Sequence, residues 1–127
     1  EGKEITVGIL GNKALPVLEI IPKKGFYDYE NKYNSGACNY MVPAEIDETT
    51  SLKIQEDSLR IFKAIGCRHY GRLDFRLNAK NEYYFLELNT LPGLSETSLF
   101  PRAAESFGLS YKDLLDKIVQ IASIDNG

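Results

Sequence analysis

The sequence predicts an α+β fold in which an antiparallel sheet is covered on one face by helices. Three observations carry this reading. Two apolar, strand-length runs near the start are joined by a short polar turn, a second alternating pair lies between Gly71 and Gly93, and three segments with helical spacing carry caps. The element order is β-β, loop, α, β-β, loop, α, α, with no internal repeat and no low-complexity segment.

Glu4 to Leu10 (EITVGIL) and Leu15 to Ile21 (LPVLEII) form the first pair, with Gly11-Asn12-Lys13 as the turn of an antiparallel hairpin. Pro16 has no N–H to give to a ladder, so it marks an edge or a strand start. Phe26 to Tyr40 (FYDYENKYNSGACNY) interleaves five aromatics with charge and has no clear period. Its basic residues are too few for a single-stranded nucleic-acid surface, so a structured loop packed on a neighbour is expected. Thr50 or Ser51 caps a helix over 52–65 that turns Leu52, Leu59, Phe62 and Ile65 inward and ends at Gly66. Ser98 to Phe107 is a short helix stopped by Gly108. Ser110 and Asp113 resemble a capping box for a last helix to about Ile124, with Leu114, Leu115, Ile118 and Ile121 inward, and the last three residues should fray.

With 127 residues the chain makes one domain with a sizeable core. A net charge of −3 argues against nucleic-acid or anionic-membrane partners. There is no apolar run of about eighteen residues and no signal peptide, so no membrane partner is predicted. Cys38 and Cys67 have neither metal-ligand spacing nor a disulfide framework, which fits a reducing cytosol. His69 is the single histidine, which excludes a zinc site built on several. The only methionine is Met41, and Glu1-Gly2-Lys3-Glu4 runs straight into a strand, so a piece of a longer chain is expected. The common glycine-rich nucleotide loops are absent.

The chemistry concentrates in the second pair, GRLDFRLNAKNEYYFLELNTLPG. A turn centred on Lys80-Asn81 sets Leu73 opposite Leu88, Phe75 opposite Leu86 and Leu77 opposite Tyr84, giving one apolar face. The other face then carries Asp74 opposite Glu87 and Arg72 opposite Asn89. Carboxylates directly across a strand pair repel, an arrangement better tolerated with a cation between them. All-oxygen donors of this kind suit hard Mg²⁺ rather than zinc. The plainer alternative is a solvated strand on which Arg72 or Arg76 pairs with either acid. On the metal reading Glu87 can bridge two ions, and Arg72 lies where it can neutralise a phosphate, the usual equipment for phosphoryl transfer. A hydrolase using Asp74 and Glu87 as acid and base would leave Asn89 and Arg72 without roles.

Gly71-Arg72-Leu73-Asp74-Phe75, Leu86-Glu87-Leu88-Asn89-Thr90-Leu91-Pro92-Gly93 and Ser98-Leu99-Phe100-Pro101, taken in this order, resemble the C-terminal part of D-alanine–D-alanine ligases of the ATP-grasp superfamily. Glu4 to Gly11, Phe26 to Tyr33 and Gly108 to Tyr111 fall in place at the family's spacing, so the likeness spans essentially all of residues 1–127. The resemblance implies the C-terminal lobe of an ATP-grasp fold. It implies a reaction in which ATP phosphorylates one D-alanine and the amine of a second attacks the acyl phosphate, making the dipeptide used in peptidoglycan. Asp74, Glu87 and Asn89 match the family's ligands for two Mg²⁺ ions, with Mn²⁺ as an alternative. Arg72 and the backbone N–H of Gly93 match its oxyanion donors, and Ser98 and Leu99 its hold on the second D-alanine. Glu4 matches a ribose contact, Lys32 a γ-phosphate contact, Tyr33 its catalytic neighbour, and Leu86 the adenine-packing position.

Glu96-Thr97-Ser98 stands where some members have Ser-His-Ser, and Arg76 where an apolar residue near the adenine is usual. These departures leave open a related ligase joining other amino acids; a non-catalytic nucleotide-binding module is the other alternative. The family also has an N-terminal substrate domain and a middle lobe that grips ATP. This sequence contains neither, so the chain by itself is expected to be inactive. The full-length enzyme is expected to be a cytoplasmic homodimer.

Overall fold

In a computed structural model, residues 2–22 and 38–126 are described, and the account below concerns these. The strands are β1 (Lys3–Leu10), β2 (Lys13–Ala14), β3 (Leu18–Pro22), β4 (Cys38–Met41), β5 (Tyr70–Leu77) and β6 (Tyr83–Asn89). The helices are α1 (Glu48–Ile65), α2 (Leu99–Phe107) and α3 (Tyr111–Asn126). All strand pairs are antiparallel, in the order β4-β3-β1-β5-β6, with the short β2 also pairing with β1.

The first hairpin forms as the sequence predicts, but its second arm is broken. β2 ends at Ala14 and β3 begins at Leu18, with Pro16 in the gap. Leu15 and Val17 are nevertheless fully buried, so the break directs one side chain into each core. The end of the aromatic stretch, expected as loop, is strand β4 and pairs Tyr40 with Ile20.

Helices cover the sheet on both faces rather than one. The odd-numbered residues Ile5, Val7, Ile9, Leu73, Phe75 and Leu77 pack with Ile54 and Phe62 of α1. Leu10, Leu18 and Ile20 on the opposite face pack with Leu99, Phe100, Ala103 and Ala104 of α2 and Leu114 of α3. Strand alternation supplies both faces, which is why β1 is buried from Glu4 through Leu10. Two glycines allow the close approaches: a Cβ on Gly8 would lie 2.8 Å from the Phe100 ring, and one on Gly71 would lie 2.8 Å from that of Phe62.

The cap of α1 is Asp47 rather than Thr50 or Ser51, and its carboxylate accepts from the Thr50 N–H at 3.1 Å. The buried stripe runs through Thr50, Ile54, Ser58 and Phe62, at four-residue spacing, and leaves Leu52 and Ile65 exposed. Gly66 closes the helix in the left-handed region as predicted (φ 91°). Gly108 closes α2 in the same way, and the Ser110 hydroxyl caps α3 by accepting from the Asp113 N–H at 3.1 Å.

The β5–β6 register follows prediction for half its length. Arg72 faces Asn89, Leu73 faces Leu88 and Asp74 faces Glu87, but a bulge follows and Phe75 faces Phe85 rather than Leu86. Leu77 accordingly faces Tyr83, not Tyr84. The loop sets this count. Asn78 binds Glu82 through both backbone and side chain, and its Oδ1 accepts from the Lys80 and Glu82 N–H groups, with Asn81 at φ 65°. The bulge brings Phe85 edge-on to Phe75, with ring centroids 5.8 Å apart.

Candidate active site

β1 and β5 run side by side through the middle of the sheet, and their even-numbered residues share a face. Across it Glu4 lies opposite Arg76, Thr6 opposite Asp74 and Gly8 opposite Arg72. β6 extends two of these rungs, with Glu87 beside Asp74 and Asn89 beside Arg72. The result is a polar strip across a sheet that is otherwise apolar at its centre. Glu4, Thr6, Arg72 and Asp74 are buried, whereas Glu87 is exposed.

A carboxylate held out of water is costly unless it is paired. Asp74, 1% exposed, is met by the fork of Arg72: Nε lies 3.1 Å from Oδ1 and Nη2 lies 3.2 Å from Oδ2. The Thr6 hydroxyl adds a contact of 2.8 Å to Oδ1, with the Leu73 carbonyl its other acceptor at 3.1 Å. Two-residue spacing on one strand puts Arg72 and Asp74 on the same face, and the planar fork does the rest. Of the two readings of the acids, arginine pairing is therefore realised at Asp74.

Pairing with arginine and holding a cation do not exclude one another, because an ionised carboxylate offers about four lone-pair sites. Asp74, Glu87 and Asn89 present only oxygen, the donor type hard divalent ions prefer. The set fits such an ion by its chemistry. It is two carboxylates and an amide; among the described residues no group of three or more His, Cys, Asp or Glu comes together. Asn89 is also anchored, its Oδ1 accepting from the Leu91 N–H at 2.9 Å where the strand turns into the following loop.

A cavity of about 120 Å³ opens beside this strip, lined by Tyr40, Arg72, Asn89, Gly93, Ser95, Thr97, Ser98 and Leu99. Five of the residues predicted from sequence thus converge from β5, β6, the loop after it and the start of α2. Ser98 is the N-cap of α2 but makes no side-chain cap bond. Its hydroxyl instead lies 2.7 Å from that of Ser95. A Cβ on Gly93 would come within 2.9 Å of Ser98 Oγ, so a larger residue there would push the Ser98 hydroxyl from its place.

Other predicted residues fall elsewhere. Glu4 lines a second cavity of about 120 Å³ together with Arg76 and Glu19. Leu86 sits at the bulge, 53% exposed, and lines neither cavity. Lys32 and Tyr33 lie outside the described residues. Sequence reasoning missed Thr6, Tyr40, Ser95 and Thr97. Thr6 became visible only once β1 was paired with β5, and Tyr40 only once β4 was a strand.

Fold and site together define the C-terminal lobe of an ATP-grasp fold. The chain belongs to the family described as "D-ala D-ala ligase C-terminus", whose model matches residues 1–120. It is 48% identical over 121 residues to the D-alanine–D-alanine ligase of Methylacidiphilum infernorum, covering 95% of this chain and 40% of that one. The crystal structure of the D-alanine–D-alanine ligase from Bacillus anthracis complexed with ATP superposes with a TM-score of 0.81 at 32% identity, covering 100% of this chain and 42% of that one. VanG D-Ala:D-Ser ligase from Enterococcus faecalis gives a TM-score of 0.77 at 33% identity, covering 95% and 36%. The chain thus spans about 40% of the length of the curated relatives it matches. Among the described residues no helix is long and apolar enough to cross a membrane.

Proposed function

We propose that this chain is the C-terminal lobe of an ATP-dependent D-alanine–D-alanine ligase and supplies the metal, phosphate and second-substrate half of its site. The remaining domains of the parent chain would bring the first D-alanine and the grip on ATP. The observation that carries this is the convergence of Arg72, Asn89, Gly93, Ser98 and Leu99 on one cavity beside Asp74 and Glu87.

Each residue has a task its position suits. Asp74, Glu87 and Asn89 would hold Mg²⁺, or Mn²⁺ in its place, two ions being the family's number. Bound there, the metal supplies positive charge against the phosphates and the developing phosphoryl charge. Asp74 aims the Arg72 guanidinium, which with the Gly93 N–H would meet the oxyanion formed when the second amino acid attacks the acyl phosphate. Such donors serve best when already fixed, and the buried pair with Asp74 fixes one of them. Ser98 and Leu99 begin a nine-residue helix whose first turn has no side-chain cap. The Leu99 and Phe100 N–H groups at that end and the helix dipole suit the carboxylate of the attacking amino acid, the Ser98 N–H being given to the Ser95 carbonyl. Glu4 would contact the ribose, Leu86 the adenine, and Lys32 and Tyr33 the γ-phosphate region.

The second amino acid is D-alanine on this reading, and the departure at Glu96-Thr97 leaves open another small amino acid, such as the D-serine used by a ligase of similar fold. The enzyme would work in the cytoplasm as a homodimer. The test is amino-acid-dependent ADP release by the intact protein, with D-alanine and D-serine compared as acceptors. Glu87→Gln should abolish turnover. Turnover at the wild-type rate in that variant would remove Glu87 from the site, and dipeptide synthesis by residues 1–127 alone would show that the other domains are dispensable.

A further inference from the structure

The cavity wall is held by a contact that none of the roles above uses. Arg102, in the first turn of α2, donates from Nε to the Thr97 carbonyl at 3.1 Å. Its guanidinium also lies over the Tyr40 ring, 4.7 Å from the centroid. Tyr40 and Thr97 line the same cavity as Arg72, Gly93 and Ser98. Arg102 therefore ties the loop before α2 to β4, on the opposite side of the sheet order from β6.

The Thr97 carbonyl and the Ser98 N–H are two ends of one planar peptide unit. Arg102 holds the carbonyl end, while the N–H end donates to the Ser95 carbonyl at 3.0 Å. Arg102 closes the turn from the helix side as well, since its own N–H donates to the Ser98 carbonyl at 3.3 Å. With both ends held, rotation of that peptide is restrained, and with it the direction in which Ser98 and Leu99 present themselves to the cavity. The ring of Tyr40 lies under the guanidinium and holds it beside its acceptor.

We propose that Arg102, seated on Tyr40, is a positioning residue for the attacking amino acid, acting through the Thr97–Ser98 peptide. This rests on the reading that Ser98 and Leu99 hold that substrate's carboxylate. In the intact ligase, Arg102→Ala should raise KM for the second amino acid about tenfold, the factor that about 1.4 kcal/mol of lost binding gives. KM for ATP and for the first amino acid should stay put. Arg102→Lys keeps a donor for Thr97 without the planar stack and should recover part of the loss. Arg60→Ala, which removes the same charge from an exposed pair on α1, should change nothing.

Amide hydrogen exchange reads the clamp without relying on turnover. In Arg102→Ala the Ser98 N–H should exchange faster while the amides of β1 and β5 hold. An unchanged second-substrate KM, or all KM values rising together, would overturn the positioning role. Unchanged exchange at Ser98 in an active enzyme would overturn the clamp alone. An intact wild-type protein with no amino-acid-dependent turnover would overturn the ligase reading, and the substrate role of Arg102 with it.

Discussion

Arg72 and Asp74 form a two-point ion pair almost wholly out of water, with side chains 4% and 2% exposed. Removing one partner of a buried pair strands the other, so either loss should be felt throughout the fold. Arg72→Met should destabilise the chain by about 3–5 kcal/mol, the usual cost of an uncompensated buried charge. Asp74→Asn keeps the shape and should cost less, about 1–3 kcal/mol, as for a buried donor left without its charged acceptor. Urea denaturation of residues 1–127 measures both. Losses below about 0.5 kcal/mol would show that water reaches the pair, as at surface ion pairs.

The same pair decides how the chain alone should respond to magnesium. The sequence leads one to expect unrelieved repulsion between Asp74 and Glu87 in the metal-free chain, and slight stabilisation by Mg²⁺ if the pair binds it by itself. In the structure Arg72 and Thr6 already satisfy Asp74, and Glu87 faces solvent. A ligand stabilises appreciably only as its concentration approaches and passes its Kd for the folded state. The melting temperature of residues 1–127 should therefore stay flat as Mg²⁺ is raised to millimolar levels, and rise only when the intact enzyme also holds nucleotide. A clear rise with Mg²⁺ alone would show that the two carboxylates bind the ion unaided.

Much of the fold was legible because it rests on local rules. The glycine stops of α1 and α2, the Ser110 cap and the rungs from Arg72 to Asp74 follow from turn chemistry and alternation. What escaped depends on distant partners. The bulge after Asp74 is set by the Asn78–Glu82 loop and by Phe85 packing on Phe75, and a strict alternation cannot register it. Covering of both sheet faces was hidden because the apolar residues of β1 alternate with Glu4, Thr6 and Gly8, whose burial depends on partners distant in the chain. The acids, Arg72 and Asn89 were found from pattern, but the ribose, adenine and second-substrate roles came only from family likeness.

Tyr83 on β6 donates to Asp57 Oδ2 on α1 at 2.5 Å, which ties the edge strand to the helix beneath it. Burial, helped by the hydrogen bond to Asp57 and its charge, pushes the phenol up from 10.0 to about 12. A raised folded-state pKa means the tie contributes fully below pH 10 and is lost as pH climbs from 10 to 12. Tyr83→Phe should cost about 1 kcal/mol at pH 7, less than the full shift implies because the residue is partly exposed. The difference between wild type and variant should shrink near pH 11. Urea unfolding of both proteins at the two pH values checks this, and a gap that does not change would show that Tyr83 titrates normally.

Gly8 lies on the polar face directly opposite Arg72 and directly beneath Phe100, the second residue of α2. The closeness of ring and backbone sets how near the helix comes to the sheet, and with it the height of Ser98 and Leu99 above the cavity floor. Gly8→Ala would place a methyl 2.8 Å from Phe100 and 3.0 Å from Leu15, so the helix must lift or the ring must leave its place. Overpacking of this kind costs about 1–3 kcal/mol. The lift also moves the helix N-terminus away from Arg72, so the intact ligase should lose affinity for the second amino acid while its use of ATP in the first step is retained. Gly71→Ala is the comparison, because its methyl meets Phe62 on the α1 face at a similar 2.8 Å and the Asn89 carbonyl at 3.3 Å, with no atom of α2 among its nearest neighbours. Both variants should lower the melting temperature, but only Gly8→Ala should raise KM for the second amino acid. Equal kinetic effects from the two would place the cost in global stability, and the spacing of α2 over the sheet would then have no part in how that substrate is held.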